Sequence, residues 1–370
     1  MDRTIYFISP KIREFLSEDP GSAGGAERQQ YLLANELRKF GFNIGFITAS
    51  GNDQLRSDGK FEVWESCPVK AGFSISFVVE FLKFLHSLYV TDADYYYVRG
   101  LPRIAVVTNL VLSLLNRSLV YCIANESNIN QKYLYSHYSK PFLWAYFWML
   151  SSATIVSQTE SQAKSLREDY GVDSVTIPNG CEITPEVEFE SSSKSLHVLW
   201  VGRIQREQKR PDRLLDIAEE LPDVSFELIG PLDGEDAYCD RIVSRANSLE
   251  NVVYSGFVDP DDIYSKYVEA DLLLNTSDYE GFPNTFLEAW QSKALVVSMY
   301  YSFDNKLKKF KFGHQAPGIK KTKEEIAKLA NKNLSESKGR AREYVINNYS
   351  ISNIANEYAE LFTQSSDKWT

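Results

Sequence analysis

Short apolar runs alternate with segments whose apolar residues recur at helical spacing, and the alternation continues along the chain. Thr4–Ser9 reads as a first strand, and a helix opens within Gly21–Arg28, with Tyr31, Leu32, Ala34, Leu37 and Phe40 on its apolar side. The same alternation predicts strands at Phe42–Thr48, Phe61–Glu65, Asp94–Val98, Leu119–Ala124, Thr154–Val156 and Ser174–Ile177. Helices are predicted between them at Phe73–Tyr89, Ile104–Leu115 and Glu160–Tyr170. The aromatic-rich stretch Pro141–Val156 reads as a buried helix running into a buried strand. The pattern restarts at His197–Val201 and predicts strands at Val224–Ile229, Val252–Tyr254, Ala270–Asn275 and Leu295–Ser298. A helix starting near Pro211 and others at Ala237–Leu249 and Asp261–Tyr267 separate them, and three more helices, Lys323–Ala330, Lys338–Asn347 and Ile354–Phe362, close the chain. Strand–helix alternation in both halves predicts two parallel, doubly wound α/β sheets.

Between the halves the composition changes. Pro178-Asn179-Gly180 is a turn signal, and Glu182–Ser195 is rich in Glu and Ser without apolar periodicity. We therefore expect a first domain over residues 1–183, a linker over 184–195 and a second domain over 196–350. With 370 residues the length suits two domains of ~100–200 residues each. The net charge is −10, from 40 basic and 50 acidic residues, which argues against a nucleic-acid partner. Cys67, Cys122, Cys181 and Cys239 lack metal-finger spacing, so free thiols in a reducing compartment are expected. The first residues carry no signal-peptide pattern, and no uncharged apolar run reaches the ~18–20 residues of a membrane span. A cytoplasmic location is expected, with peripheral contact to the cytoplasmic membrane face as the alternative. Lys83 is the one basic residue of the Phe73–Tyr89 helix and Glu80 offsets it, so that helix lacks the basic face of a membrane-docking element.

The candidate chemistry concentrates after the Ala270–Asn275 strand. Glu280-Gly281-Phe282-Pro283-Asn284-Thr285-Phe286-Leu287-Glu288 is a Gly/Pro turn that opens a helix, with a carboxylate on either side. Pro283 suits the first helical position, where a missing N–H costs nothing. The first turn of a helix offers N–H groups and the positive end of its dipole to an anion. An anion cradle between carboxylates fits a ligand with phosphate in the middle and polyols at its ends, as in a nucleotide-sugar. The bland alternative is a capped helix with two solvated glutamates. The counter-charge lies upstream, where Arg203, Arg206, Lys209, Arg210 and Arg213 crowd a loop offset by Glu207 and Asp212 alone. In the first half, Gly24 and Gly25 sit in a glycine-rich turn, and Asn125-Glu126-Ser127-Asn128 follows a strand. Both are positions where open α/β sheets bind ligands; the alternatives are a flexible turn and a helix cap. Asp92-Ala93-Asp94 looks like a metal motif but precedes a strand, and we read it as a loop.

These motifs resemble family 4 of the retaining glycosyltransferases, whose fold is GT-B: two Rossmann-like domains facing a central cleft. Glu280–Glu288 is similar to that family's E-x7-E motif, Arg203 and Lys209 to its basic pair, Gly24-Gly25-Ala26-Glu27-Arg28 to its first-loop glycines, and Pro178-Asn179-Gly180 to the end of its first domain. The resemblance runs along most of the chain and is stronger in the second half. It implies a metal-independent transfer, with retention, from a nucleotide-diphosphate sugar to a glycan, lipid-linked or other hydroxyl acceptor, without a cofactor. By resemblance, Glu280 binds sugar hydroxyls near the reacting carbon, and Gly281, Phe282, Pro283, Asn284 and Thr285 line sugar and phosphate. Glu288 binds the ribose, Arg203 and Lys209 neutralise the diphosphate, and Gly230 and Phe257 lie near the base. Gly24 and Gly25 admit phosphate or acceptor. The final helix, about 351–366, is expected on the first domain.

Two features depart from the family pattern. The histidine that many members carry on the acceptor side is missing from Ala124-Asn125-Glu126-Ser127, which leaves Asn125 and Glu126 as substitutes and His137 as a surface residue. The Gly-x-Pro after the second glutamate is replaced by Ser292-Lys293-Ala294-Leu295. Two rival functions remain: an epimerase or phosphorylase on the same scaffold, and a non-catalytic glycan-binding protein.

Overall fold

The computed structural model describes residues 3–17, 24–51, 60–68, 75–186, 195–234, 237–259 and 262–364. It divides into two compact units, one of residues 1–180 with 351–370 and one of residues 181–350.

The first unit carries a seven-stranded sheet. Its strands are β1 (Thr4–Ile8), β2 (Asn43–Thr48), β3 (Glu62–Glu65), β4 (Tyr95–Arg99), β5 (Ser118–Cys122), β6 (Thr154–Ser157) and β7 (Val175–Thr176). Their order is β3-β2-β1-β4-β5-β6-β7, and every pairing is parallel. The period of two along a strand sends alternate residues to the two faces. Tyr6 and Ile8 of β1 and Tyr96 and Val98 of β4 enter one core. Ile5, Phe7, Tyr95 and Tyr97 enter the other. The C-terminal helix Ile351–Gln364 completes that second core by burying Ile354, Ala355, Tyr358 and Phe362 beside Leu33, Ala34 and Leu37 of the Gly25–Lys39 helix.

The second unit carries a six-stranded parallel sheet of β8 (His197–Val201), β9 (Ser225–Ile229), β10 (Val252–Gly256), β11 (Leu272–Asn275), β12 (Leu295–Ser298) and β13 (Gly313–Gln315). The order is β10-β9-β8-β11-β12-β13. Strand order reverses direction between β1 and β4 in the first unit and between β8 and β11 in the second. In such sheets the crevice beyond the carboxyl ends of those strands is the usual ligand position.

Some elements differ from the sequence reading. Pro141–Val156 does form a helix (Lys140–Ser152) and then β6, but the helix is one-sided: Trp144 is 77% exposed. Helices at Arg13–Leu16, Gln131–His137 and Lys306–Phe310, and the strand β13, have too few apolar repeats to stand out. The expected linker falls largely, at residues 187–194, outside the described residues. Its first residues are tied down within the second unit, where Arg342 Nη2 donates to the Thr184 carbonyl at 2.8 Å and Tyr264 Oη to that of Pro185 at 3.0 Å. The chain crosses between units at Gly180–Cys181 and at Ser350–Ile351.

Candidate functional site

The loops after β8 and β11 meet at the switch point of the second sheet. β11 is buried throughout, and the following loop leads through Glu280 to the Asn284–Gln291 helix. Glu280 is 7% exposed. Lys209 Nζ lies 2.7 Å from its Oε1. Asn275 Nδ2 and Ser277 Oγ donate to the same oxygen at 3.1 and 2.6 Å. All three bonds fall on Oε1, so Oε2 has no such bond among the described residues. A carboxylate taken this far out of water needs its charge matched and its lone pairs filled. Here one oxygen carries the structural load.

Lys209 is positioned by backbone as well as charge. Thr276 Oγ1 donates to the Lys209 carbonyl at 2.6 Å and accepts from Trp200 Nε1 at 2.8 Å. Asp278 N donates to the Gln208 carbonyl at 2.9 Å, and Gln208 Nε2 to that of Tyr279 at 3.0 Å. Two of the five cations of this loop act as straps. Arg213 reaches the Thr276 carbonyl and Asp278 at 2.8 and 2.7 Å. Arg210, at φ +51°, forms a two-pronged contact with Asp212, which also accepts from Tyr238 Oη at 2.7 Å. Burial pushes the Asp212 carboxyl up, but the bonds from Arg210 and Tyr238 outweigh burial and hold it below its ordinary value. The bond to Asp212 likewise holds the Arg210 guanidinium above its ordinary value. Arg203 and Arg206 differ. Both are exposed; Arg203 is 3.9 Å from Asp233, and Arg206 makes no ion pair among the described residues. The loop is therefore less basic toward a ligand than its composition implies, with Arg203, Arg206 and the paired Lys209 as its cations.

The helix start needs one correction. Pro283 is not its first helical residue; it is the N-cap, with φ −77° and ψ +101°, and its carbonyl accepts from Phe286 N at 3.0 Å. The ring presets φ, yet the extended ψ places the turn one residue later, at Asn284. The Phe282 side chain is buried against Phe303 and Tyr349. The Gly281 carbonyl accepts from Tyr301 Oη at 2.9 Å. Glu288, half-buried on the helix, accepts from the buried Tyr267 Oη at 2.8 Å.

Gly230 and Phe257 follow β9 and β10 at the same edge of the sheet. Gly230 has φ +148°, and a Cβ there would lie 1.8 Å from the Gly202 carbonyl oxygen. That glycine serves the close approach of the β8 loop, in which Ile204 N bonds the Pro231 carbonyl at 2.9 Å and fixes the backbone next to Arg203. Phe257 is 48% exposed, an aromatic face open to stacking.

The other expected site residues belong to the first unit. Gly24 is the N-cap of the Gly25–Lys39 helix at φ −75°, a conformation any residue adopts, and residues 21–23 lie outside the described residues. Asn125 is a capping residue: its Oδ1 accepts from Ser127 N at 3.0 Å, while Asn128 Oδ1 accepts from Ala124 N and Asn125 N. Its carbonyl oxygen is thus engaged, which weakens it as a replacement for the family histidine. Glu126 begins the short 3₁₀ turn that Asn125 caps. His137 is exposed and stacked on Tyr133. Asp94 accepts from Thr4 N at 2.8 Å and Asp92 pairs with Arg117, so both serve the loop before β4.

Asn275, Ser277, Thr276, Tyr267 and Tyr301 did not stand out in the sequence. Asn275 had a readable signal: a polar residue ends an apolar strand at a switch point. The tyrosines are distant in sequence and had none.

Residues 195–308, which hold most of this site, match the family model described as glycosyl transferases group 1. Over 365 residues the chain is 24% identical to an uncharacterized glycosyltransferase of Haemophilus influenzae, covering 94% of this chain and 91% of that protein. Among solved structures, sucrose-phosphate synthase from Thermosynechococcus elongatus is similar in fold, with TM-score 0.79 and 16% identity over 99% of this chain and 100% of that one. Anabaena HepE in complex with UDP and glucose is similar with TM-score 0.71 and 18% identity, over 98% and 99%.

Proposed function

With the chain a glycosyltransferase of the GT-B fold, we propose that it moves a sugar, with retention of anomeric configuration, from a nucleotide-diphosphate sugar to a hydroxyl of a glycan or lipid-linked acceptor. The observation that carries this reading is the Lys209–Glu280 pair, held by Asn275 and Ser277 at the switch point beside a helix N-terminus. In this reading Glu280 Oε2 takes sugar hydroxyls. Arg203, Lys209 and the N–H groups of the Asn284–Gln291 helix meet the diphosphate. Glu288 takes the ribose, and Phe257 the base.

When the glycosidic bond breaks, its electron pair goes to the departing phosphate oxygen. Fixed cations and N–H groups stabilise that charge without reorganising. Arg203 and Lys209 do this work without a resident metal, so transfer should persist in EDTA. Retention follows from attack on the same face, with the departing phosphate accepting the acceptor's proton. Both glutamates bind rather than exchange protons, so the paired-carboxylate scheme of glycosidases does not apply. UDP-sugars are the first donors to test, because a similar fold is described with UDP.

The test is incubation with UDP-, GDP- and ADP-sugars, with product anomers followed by NMR. Release of an α-configured product from an α-linked donor is expected. Failure of the folded protein to bind or turn over any donor would overturn the reading. Interconversion of a donor without an acceptor would favour an epimerase instead.

A further inference from the structure

The first unit has a switch point of its own, and its chemistry is the opposite of the second unit's. Pro10 follows β1 and Gly100 follows β4, and both line a cavity of about 450 Å³ beyond the carboxyl ends of those strands. Phe77, Phe81 and Phe84 of the Ile75–Val90 helix line it from one side, and Leu101, Ile104 and Val107 of the following segment from another. Phe77 and Phe81 stack at 6.1 Å, and Phe84 is buried. Gly100 has φ +63°, and a Cβ there would come within 2.3 Å of Ala124 Cβ.

Among the described residues the cavity has one charged lining residue. Arg103 is exposed, its guanidinium lies 5.6 Å from the centre of the Tyr138 ring, and no carboxylate pairs with it among the described residues. Next to the phenylalanine stripe, Val78 and Leu82 are 52% and 59% exposed, an apolar strip four residues apart on the same helix. A cavity of this size suits a small-molecule ligand. Its lining offers a sugar ring few hydrogen-bond partners. It offers a hydrocarbon chain aromatic and aliphatic walls, and the exposed strip extends them. A free guanidinium at the rim suits phosphate, which it can hold with two parallel bonds.

We propose that this cavity binds the hydrocarbon tail of an anionic amphiphile, with Arg103 on its phosphate, and that this amphiphile is the lipid-linked acceptor. The acceptor role rests on the transfer reading above; the binding site itself does not.

The test is calorimetric titration of the full chain with decyl phosphate below its micellar concentration, with inorganic phosphate and decyl glucoside as partial probes. Decyl phosphate should bind saturably at one site, and inorganic phosphate at least ~100-fold more weakly, because each buried methylene contributes. Val107→Trp fills the cavity and should weaken decyl phosphate at least ~10-fold. Arg103→Gln should weaken it ~10-fold or more while leaving decyl glucoside unchanged, because a charge-assisted bond is lost. Donor binding, a property of the second unit, is measured on the same variants and should not change, and a retained calorimetric transition of the first unit confirms that they fold. Absence of saturable decyl phosphate binding to the wild-type chain, or a Val107→Trp variant that binds it unchanged, overturns the site. Saturable binding that is sensitive to Val107→Trp, in a protein that binds no nucleotide-sugar, would leave the site standing and overturn the transfer reading.

Discussion

Lys209 and Arg203 were matched to one motif, and the structure gives them different physical settings. Lys209 lies against the buried Glu280, with side-chain exposures of 24% and 6%. Lys209→Ala leaves a buried carboxylate without its cation and should destabilise the second unit by roughly 3–5 kcal/mol, less whatever Asn275 and Ser277 still provide. Arg203 is exposed and only loosely paired. Arg203→Ala should change stability by no more than about 0.5 kcal/mol, yet lower turnover ~10²–10³-fold if it meets the departing phosphate. Urea denaturation and steady-state kinetics on the two variants separate these effects. Asp212 adds a pH signature. Its folded value lies below the ordinary one, so its stabilisation is present above about pH 3.9 and is lost as pH falls through the folded value. Asp212→Asn should cost roughly 1–3 kcal/mol at pH 7, the worth of hydrogen bonds to a charged group. Urea midpoints taken down to pH 3 should show that gap closing below about pH 4. At this scale the sequence revealed residue types and spacing but not partners. Five clustered cations look alike in a string, and only the fold separates Arg210 and Arg213, which strap loops together, from Arg203 and Arg206.

Among the elements, loop geometry decides which glycines matter. Gly230→Ala drives a Cβ into the Gly202 carbonyl oxygen and should destabilise by about 3 kcal/mol or more, because backbone cannot yield cheaply. Among the described residues Gly24→Ala meets only the flexible Glu27 carboxylate, at 2.9 Å, and should be tolerated to within about 1 kcal/mol. Thermal melts of both variants check the contrast. The motif reading gave Gly24 the larger part because the first-loop glycines are conspicuous in sequence, whereas the clash at Gly230 arises between two loops. Long strands and helices were legible because apolar periodicity is local. Arg13–Leu16 and Gly313–Gln315 were not, since four or three residues hold little more than one period and show no repeat. The start of the site helix was legible to within one residue, and Pro283 is compatible with either place. At Ser292–Leu295, where the family's glycine is absent, Lys293 takes φ +64° and the turn into β12 still forms.

For the whole molecule, the two parallel sheets followed from the alternation of strand and helix, while strand order and the chemistry at each switch point did not. The helix Ile351–Gln364 belongs to the unit at the other end of the sequence. A chain ending at Ser350 would lose the buried Ile354, Tyr358 and Phe362, worth about 1.5–3 kcal/mol each, together comparable to a domain's whole stability. Calorimetry should then show the first unit's transition gone and the second unit's still raised by a nucleoside diphosphate. The proposed donor site is built entirely from second-unit residues, from Arg203 to Glu288. Titration calorimetry of the wild-type chain and of Arg203→Ala with UDP, GDP and ADP tests it most directly. One nucleotide should bind the wild-type chain, and Arg203→Ala should bind it at least ~10-fold more weakly with its melting temperature unchanged. A folded wild-type protein that binds none of the three, or an Arg203→Ala variant that binds as tightly as wild type, would contradict the assignment.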